Sequence, residues 1–64
     1  MKNIEKNIYD LSSGIFWAFT YEDSENWLKR RYLKSDYTKA QAKRLFKKEL
    51  KELFEIGCGF VMSY

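Results

Sequence analysis

The chain has 64 residues, 45% hydrophobic and 19% aromatic, with twelve basic and nine acidic side chains, no histidine, no proline and one cysteine. This length allows one domain, 1–64, that buries only about 60% of its unfolded surface, and the apolar content argues against disorder. A single cysteine excludes an internal disulfide, and the lack of histidine removes the commonest general base and metal ligand.

The net charge of +3 hides an asymmetry. From Lys29 to Lys51 there are ten basic and two acidic residues, a local +8, while the rest of the chain carries −5. Such separation suggests a footprint for a polyanion or an acidic protein surface. No apolar run reaches the length of a membrane span. Glu5 and Asp10 interrupt any signal-peptide pattern begun by Lys2 and Lys6. The expected location is therefore cytoplasmic, with no membrane partner.

In chain order, residues 4–20 are predicted as a first helix. Ile4, Ile8, Leu11, Ile15, Ala18 and Phe19 fall in one stripe about 100° wide on a helical wheel, and Asn3 can cap it. The interruption is Ser12-Ser13-Gly14, because an interior glycine costs about 1 kcal/mol relative to alanine. The rival reading ends the helix near Leu11 and makes 15–21 a strand. Both faces of that strand would be apolar and would need cover on both sides. Tyr9, Phe16 and Trp17 lie outside the helical stripe, which makes them candidates for an apolar interface.

Glu22-Asp23-Ser24-Glu25 has helix-start chemistry, with Asp23 or Ser24 able to cap and Glu25 at the positive end of the dipole. A second helix is predicted over 25–34, with Trp27, Leu28 and Tyr32 on its apolar side and Arg31 in the middle of that side. Ser35-Asp36-Tyr37 is a tight connection. The third helix, 39–56, is the best marked. Thr38 and Gln41 stand in capping-box order, and Gly57 suits the left-handed residue after a helix. Ala42, Leu45, Phe46, Leu50, Leu53, Phe54 and Ile56 form a broad apolar half. Glu49 projects inside that half, and an unpaired buried carboxylate is costly. Its predicted partner is Arg31.

The expected fold is thus all-α, a three-helix domain (4–20, 25–34, 39–56) with a short C-terminal extended tail over 60–64 packed on it. The alternative is α+β, with strands 15–21 and 59–63 paired.

Lys39, Lys43, Lys47 and Lys51 form an i, i+4 row beside Arg44 and Lys48. The plainest account of such a row is a solvated face; the sharper one is an anion-binding face with no structural duty. The candidate partner- or phosphate-binding set is Arg30, Lys34, Lys39, Lys43, Arg44, Lys47 and Lys48. Cys58 has no histidine to activate it, and no spacing suits a metal. No enzyme activity, cofactor or metal is expected.

Helix two, the short turn and helix three resemble a helix-turn-helix, with Lys39, Gln41, Lys43 and Arg44 where that motif reads the groove. Direct DNA or RNA binding is one functional reading. The other is a protein-binding modulator or inhibitor that docks on a larger, nucleic-acid-handling assembly. The row holds no clear base-reading set, which favours the second. Small, lysine- and aromatic-rich, motif-free chains of this kind are similar in style to accessory proteins of phages and mobile elements. A homodimer would consume the surplus aromatic residues.

Overall fold

A computed structural model describes residues 4–63, so the expectations for Asn3 and Tyr64 lie outside the described residues. The architecture is α+β, not all-α. A 3₁₀ turn, Ile4–Asn7, leads into β1 (Ile8–Asp10), β2 (Phe16–Glu22), β3 (Trp27–Leu33), the helix α1 (Lys39–Ile56) and β4 (Val61–Ser63). The four strands form one sheet in the order β1-β2-β3-β4. The β1–β2 and β2–β3 pairs are antiparallel. The β3–β4 pair is parallel and is reached by crossing through α1. This is the arrangement a parallel connection needs, since no tight turn can join parallel strands.

The predicted helix over 4–20 is replaced by the 3₁₀ turn, β1, a loop and β2. Ser12-Ser13-Gly14 forms the turn of a hairpin. Asp10 Oδ1 accepts from the Ser12 N–H at 2.9 Å and from its hydroxyl at 2.5 Å. The Ser13 N–H donates to Phe16 O at 2.9 Å. Short polar residues that bond their own backbone favour turns over helix interiors.

The predicted helix over 25–34 is strand β3. Asp23 uses its carboxylate as expected of a cap, accepting from the Glu25 and Asn26 N–H groups at 2.7 Å each, but the next element is a strand. The same side-chain acceptor serves an Asx-type turn as readily as a helix start. Asn26 then fixes the far end of the chain. Its Oδ1 accepts from the N–H groups of Gly59 at 2.6 Å and Phe60 at 3.2 Å, while the Trp27 N–H donates to Phe60 O at 2.8 Å. These bonds place β4 beside β3. The α+β alternative is nearer to the structure, but the segments it paired are not neighbours: β2 and β4 lie on opposite sides of β3.

The helix 39–56 forms where the sequence places it. Thr38 Oγ1 accepts from the Gln41 N–H at 3.2 Å and Gln41 Oε1 accepts from the Thr38 N–H at 2.9 Å, which completes the capping box. At the other end Gly57 is extended, not left-handed, and Gly59 takes the positive φ of 84°. The core lies between α1 and one face of the sheet: Ala42, Phe46 and Leu50 pack on Phe19, Tyr21 and Leu28. Phe46 meets Phe19 with ring centroids 5.8 Å apart, and Phe54 meets Tyr21 edge-on at 5.6 Å. Leu45 and Ile56 leave the predicted apolar half for solvent, Ile56 being 85% exposed. One helix lying on one sheet needs a narrower stripe than a helix wedged between two others.

Candidate functional site

The strand period of two decides which side chains share a surface. On β2, Phe19 and Tyr21 face the helix and Trp17 packs beside them, so Phe16, Ala18, Thr20 and Glu22 face away. On β3, Leu28, Arg30 and Tyr32 face the helix, leaving Trp27, Lys29, Arg31 and Leu33 on the other face. The predicted Arg31–Glu49 pair is therefore replaced by its neighbour. Arg30 Nη2 lies 2.6 Å from Glu49 Oε2, and Arg30 Nε lies 3.1 Å from both carboxylate oxygens. Counting by 3.6 put Arg31 toward the helix, and counting by two puts Arg30 there. Arg31 instead stands 4.8 Å over the Phe16 ring on the opposite face. Burial first, and then the Glu49 charge, push the neighbouring Tyr32 phenol up to about 12.

The lysine row is not idle. Lys39 Nζ lies 3.3 Å from Asp10 Oδ2, Lys43 Nζ lies 3.5 Å from Glu5 Oε2, and Lys47 also pairs with Glu5. The row thus binds α1 to the acidic first segment, correcting the expectation that it has no structural role. These pairs are substantially exposed, so each contributes at most about 1 kcal/mol. Asp10 is held below the ordinary carboxylate range by its two bonds from Ser12, with Lys39 adding to them.

Two further members of the candidate set are spoken for. Arg30 is committed to Glu49, and Lys34 Nζ stands 4.3 Å over the Trp17 ring. Arg44 and Lys48 remain exposed on the outer side of α1 and make no ion pair among the described residues. Ala40, Lys43, Arg44 and Lys47 line a shallow groove there. Along this flank Glu5 is the single paired carboxylate against Lys43, Arg44, Lys47 and Lys48, so a local positive excess survives.

The second surface is the sheet face that α1 does not cover. Two of the three apolar interface candidates, Tyr9 and Phe16, stand on it. Trp17 does not: it packs on the helix side and its Nε1–H donates to Tyr37 O at 2.9 Å. The reading of residues as helical missed Trp27, Leu33 and Val61, which join this face through the ladder pairs Glu22↔Trp27, Phe16↔Leu33 and Trp27↔Val61. A period of two along 27–33 puts the first two on one face, but Trp27-Leu28-Lys29-Arg30-Arg31-Tyr32-Leu33 carries no apolar–polar alternation that announces a strand. No family model, no curated protein and no solved structure matches this chain. The reading of its function therefore rests on these two surfaces alone.

Cys58 is exposed, and among the described residues no three acidic or cysteine side chains converge as a metal site would require. No helix among those residues is long and apolar enough to cross a membrane.

Proposed function

We propose that the chain is a small non-enzymatic binding protein, a modulator or inhibitor, that docks through the outer flank of α1 on an acidic surface of a larger protein. The observation that carries this reading is the positive excess on this flank, where Lys43 and Lys47 share one carboxylate, Glu5, and Arg44 and Lys48 make no ion pair among the described residues. Electrostatic complementarity of this kind steers encounter and sets specificity. A protein surface suits it better than nucleic acid. Affinity for a polyanion scales with the number of phosphates neutralised, and the structure removes Arg30 and Lys34 from the cations once available for that work, while Lys39 is matched by Asp10. A modest, compact excess remains, enough for a patch of carboxylates.

The test is a pull-down from nuclease-treated extract of the encoding organism, using the native chain and an Arg44→Glu/Lys48→Glu variant. Both positions are exposed, so the variant should fold with a stability change of about 0.5 kcal/mol or less. A protein retained by the native chain, competed by salt and lost by the variant supports the proposal. Loss of all bound material on nuclease treatment would instead assign the flank to nucleic acid. Equal retention by both chains would remove α1 from the interaction.

A further inference from the structure

We propose that Glu5 is an internal ligand of the outer flank of α1, an inference that rests on that flank being a docking surface. Its carboxylate occupies Lys43 and Lys47 until an acidic segment of the partner, with several carboxylates close together, takes the two ammonium groups from it.

The spacing on α1 sets up the contest. Residues four apart stand one above the other on a helix. Lys43 and Lys47 make one such column, and Arg44 and Lys48 make the next. Glu5 divides its carboxylate across the first column: Oε2 lies 3.5 Å from Lys43 Nζ, and Oε1 accepts from Lys47 Nζ. The second column makes no ion pair among the described residues. The groove beside them is lined by Ala40, Lys43, Arg44 and Lys47. Glu5 is not part of that lining, so the groove is open to a ligand while two of its cations are engaged from outside. Like charges one turn apart repel, so the first column favours an anion at all times, whether Glu5 or a group from the partner.

The hold is of the strength that an exchange needs. Glu5, Lys43 and Lys47 keep 38–47% of their side-chain surface in water. Such pairs are weak, because water and salt screen them. The Arg30–Glu49 pair on the inner side of the same helix is less exposed, at 18% and 30%, and is a fixed structural contact. Release of Glu5 needs only a swing of its side chain. The turn that carries it, Ile4–Asn7, contains no fully buried residue. That turn is nevertheless anchored, since Ile4 and Ile8 pack against the core and β1 keeps its own ladder to β2. The sheet therefore stays intact whether or not Glu5 sits on the lysines.

Internal competition gives selectivity. An isolated carboxylate meets Glu5 as an equal and has no advantage over it. A cluster of carboxylates meets Lys43, Arg44, Lys47 and Lys48 together, whereas Glu5 meets two of them. The flank thus discriminates against single acidic side chains by a built-in competitor and takes dense acidic segments.

Titration of the full chain with a blocked decaglutamate peptide at low salt, followed by NMR, tests this. Glu5→Gln, at an exposed position, should keep the native circular dichroism and bind the peptide about three- to tenfold more tightly. Glu25→Gln removes the same charge from the exposed turn between β2 and β3 and should change the affinity by less than about twofold. In a Lys43→Ala/Lys47→Ala background, Glu5→Gln should no longer tighten binding. The native chain gives a second reading: at saturation its Glu5 carboxyl carbon signal should move to the position it has in free Lys43→Ala/Lys47→Ala. Equal affinity of the native and Glu5→Gln chains, tightening that persists without the two lysines, or a Glu5 signal that stays in place at saturation would each overturn the inference. If one of these occurs while Arg44→Glu/Lys48→Glu still loses the peptide, the docking flank stands without its competitor. If no chain binds the peptide, flank and competitor fall together. Tightening toward a deoxythymidine decamer but not toward the peptide would overturn the inference in favour of nucleic acid.

Discussion

Removing Glu49 separates the sheet from the helical alternative more sharply than any other single change. Arg30 lies on β3 beneath α1 with 18% of its side chain exposed, and Glu49 with 30%. Both members are shielded without being sealed. Breaking a fully buried pair costs about 3–5 kcal/mol, because the survivor is left charged and desolvated, whereas an exposed pair is worth under about 1 kcal/mol. The geometry favours a value midway between them. Arg30 offers three contacts of 2.6–3.1 Å to the carboxylate, and its Nη1 is held by Lys29 O at 3.0 Å, so the guanidinium has little freedom to swing out to water. Glu49→Ala should cost about 2 kcal/mol.

For a chain of this size total stability is roughly 3–10 kcal/mol, and each kcal/mol moves the midpoint by about 4–8 °C. The variant should therefore melt about 8–16 °C lower. Urea and thermal unfolding of the native chain, Glu49→Ala, Arg30→Ala and the double variant complete a cycle, with an expected coupling of about 1–2 kcal/mol. The same cycle with Arg31→Ala should show coupling near zero, since Arg31 stands on the other face. A loss under about 0.5 kcal/mol on removing Glu49, or a larger coupling to Arg31 than to Arg30, would refute the strand register.

Three further outcomes rest on named contacts. Phe46→Ala should destabilise by about 3–5 kcal/mol in chemical denaturation, because Phe46 is fully buried against Phe19 and no second element can close the space. Asn26→Ala should cost about 2 kcal/mol by stranding the Gly59 and Phe60 N–H groups, and native-state hydrogen exchange should show the Trp27 amide losing protection as β4 frays. At Asp23, burial pushes the carboxyl up, but bonds from the Tyr21 hydroxyl, the Glu25 N–H and Asn26 outweigh it and hold the group well below the ordinary carboxylate range. A depressed folded value stabilises the fold above the unfolded value near 3.9 and loses that contribution as pH falls below it. The melting difference between the native chain and Asp23→Asn should thus be full at pH 6, begin to shrink as pH falls through about 4, and still be partly present at pH 2.

The helix 39–56 was legible because three independent signals agreed there: the capping box at Thr38 and Gln41, the apolar period of 3.6 and the glycine stop. The strands were hidden by two coincidences. Ile4, Ile8, Leu11, Ile15 and Phe19 happen to recur at helical spacing, although the polar and glycine residues 12–14 between them make a turn. In 27–33, Trp27, Leu28 and Tyr32 satisfy a helical wheel, while the strand puts the basic Arg30 between Leu28 and Tyr32 on its covered face, where Glu49 matches it, so no apolar–polar alternation announces the strand.

An apolar strand over 15–21 had seemed to need cover on both faces. In the structure α1 covers one face, and on the other the small Ala18 and Thr20 are buried without any described element lying over them, so a strand here does not need a second layer. Of the site residues, the surviving charge at Arg44 and Lys48 was readable from the wheel. The pairing of Lys39, Lys43 and Lys47 with Asp10 and Glu5 was not, because it depends on where β1 lies.

The α+β architecture stands on 16–22 and 27–33 being paired strands, and inter-proton distances from NMR measure that most directly. Paired strands predict cross-strand contacts linking Trp17 with Tyr32, Phe19 with Arg30, Tyr21 with Leu28 and Ile8 with Tyr21. Sequential helical contacts running through 4–20 and 25–34, with those cross-strand contacts missing, would contradict the pairing.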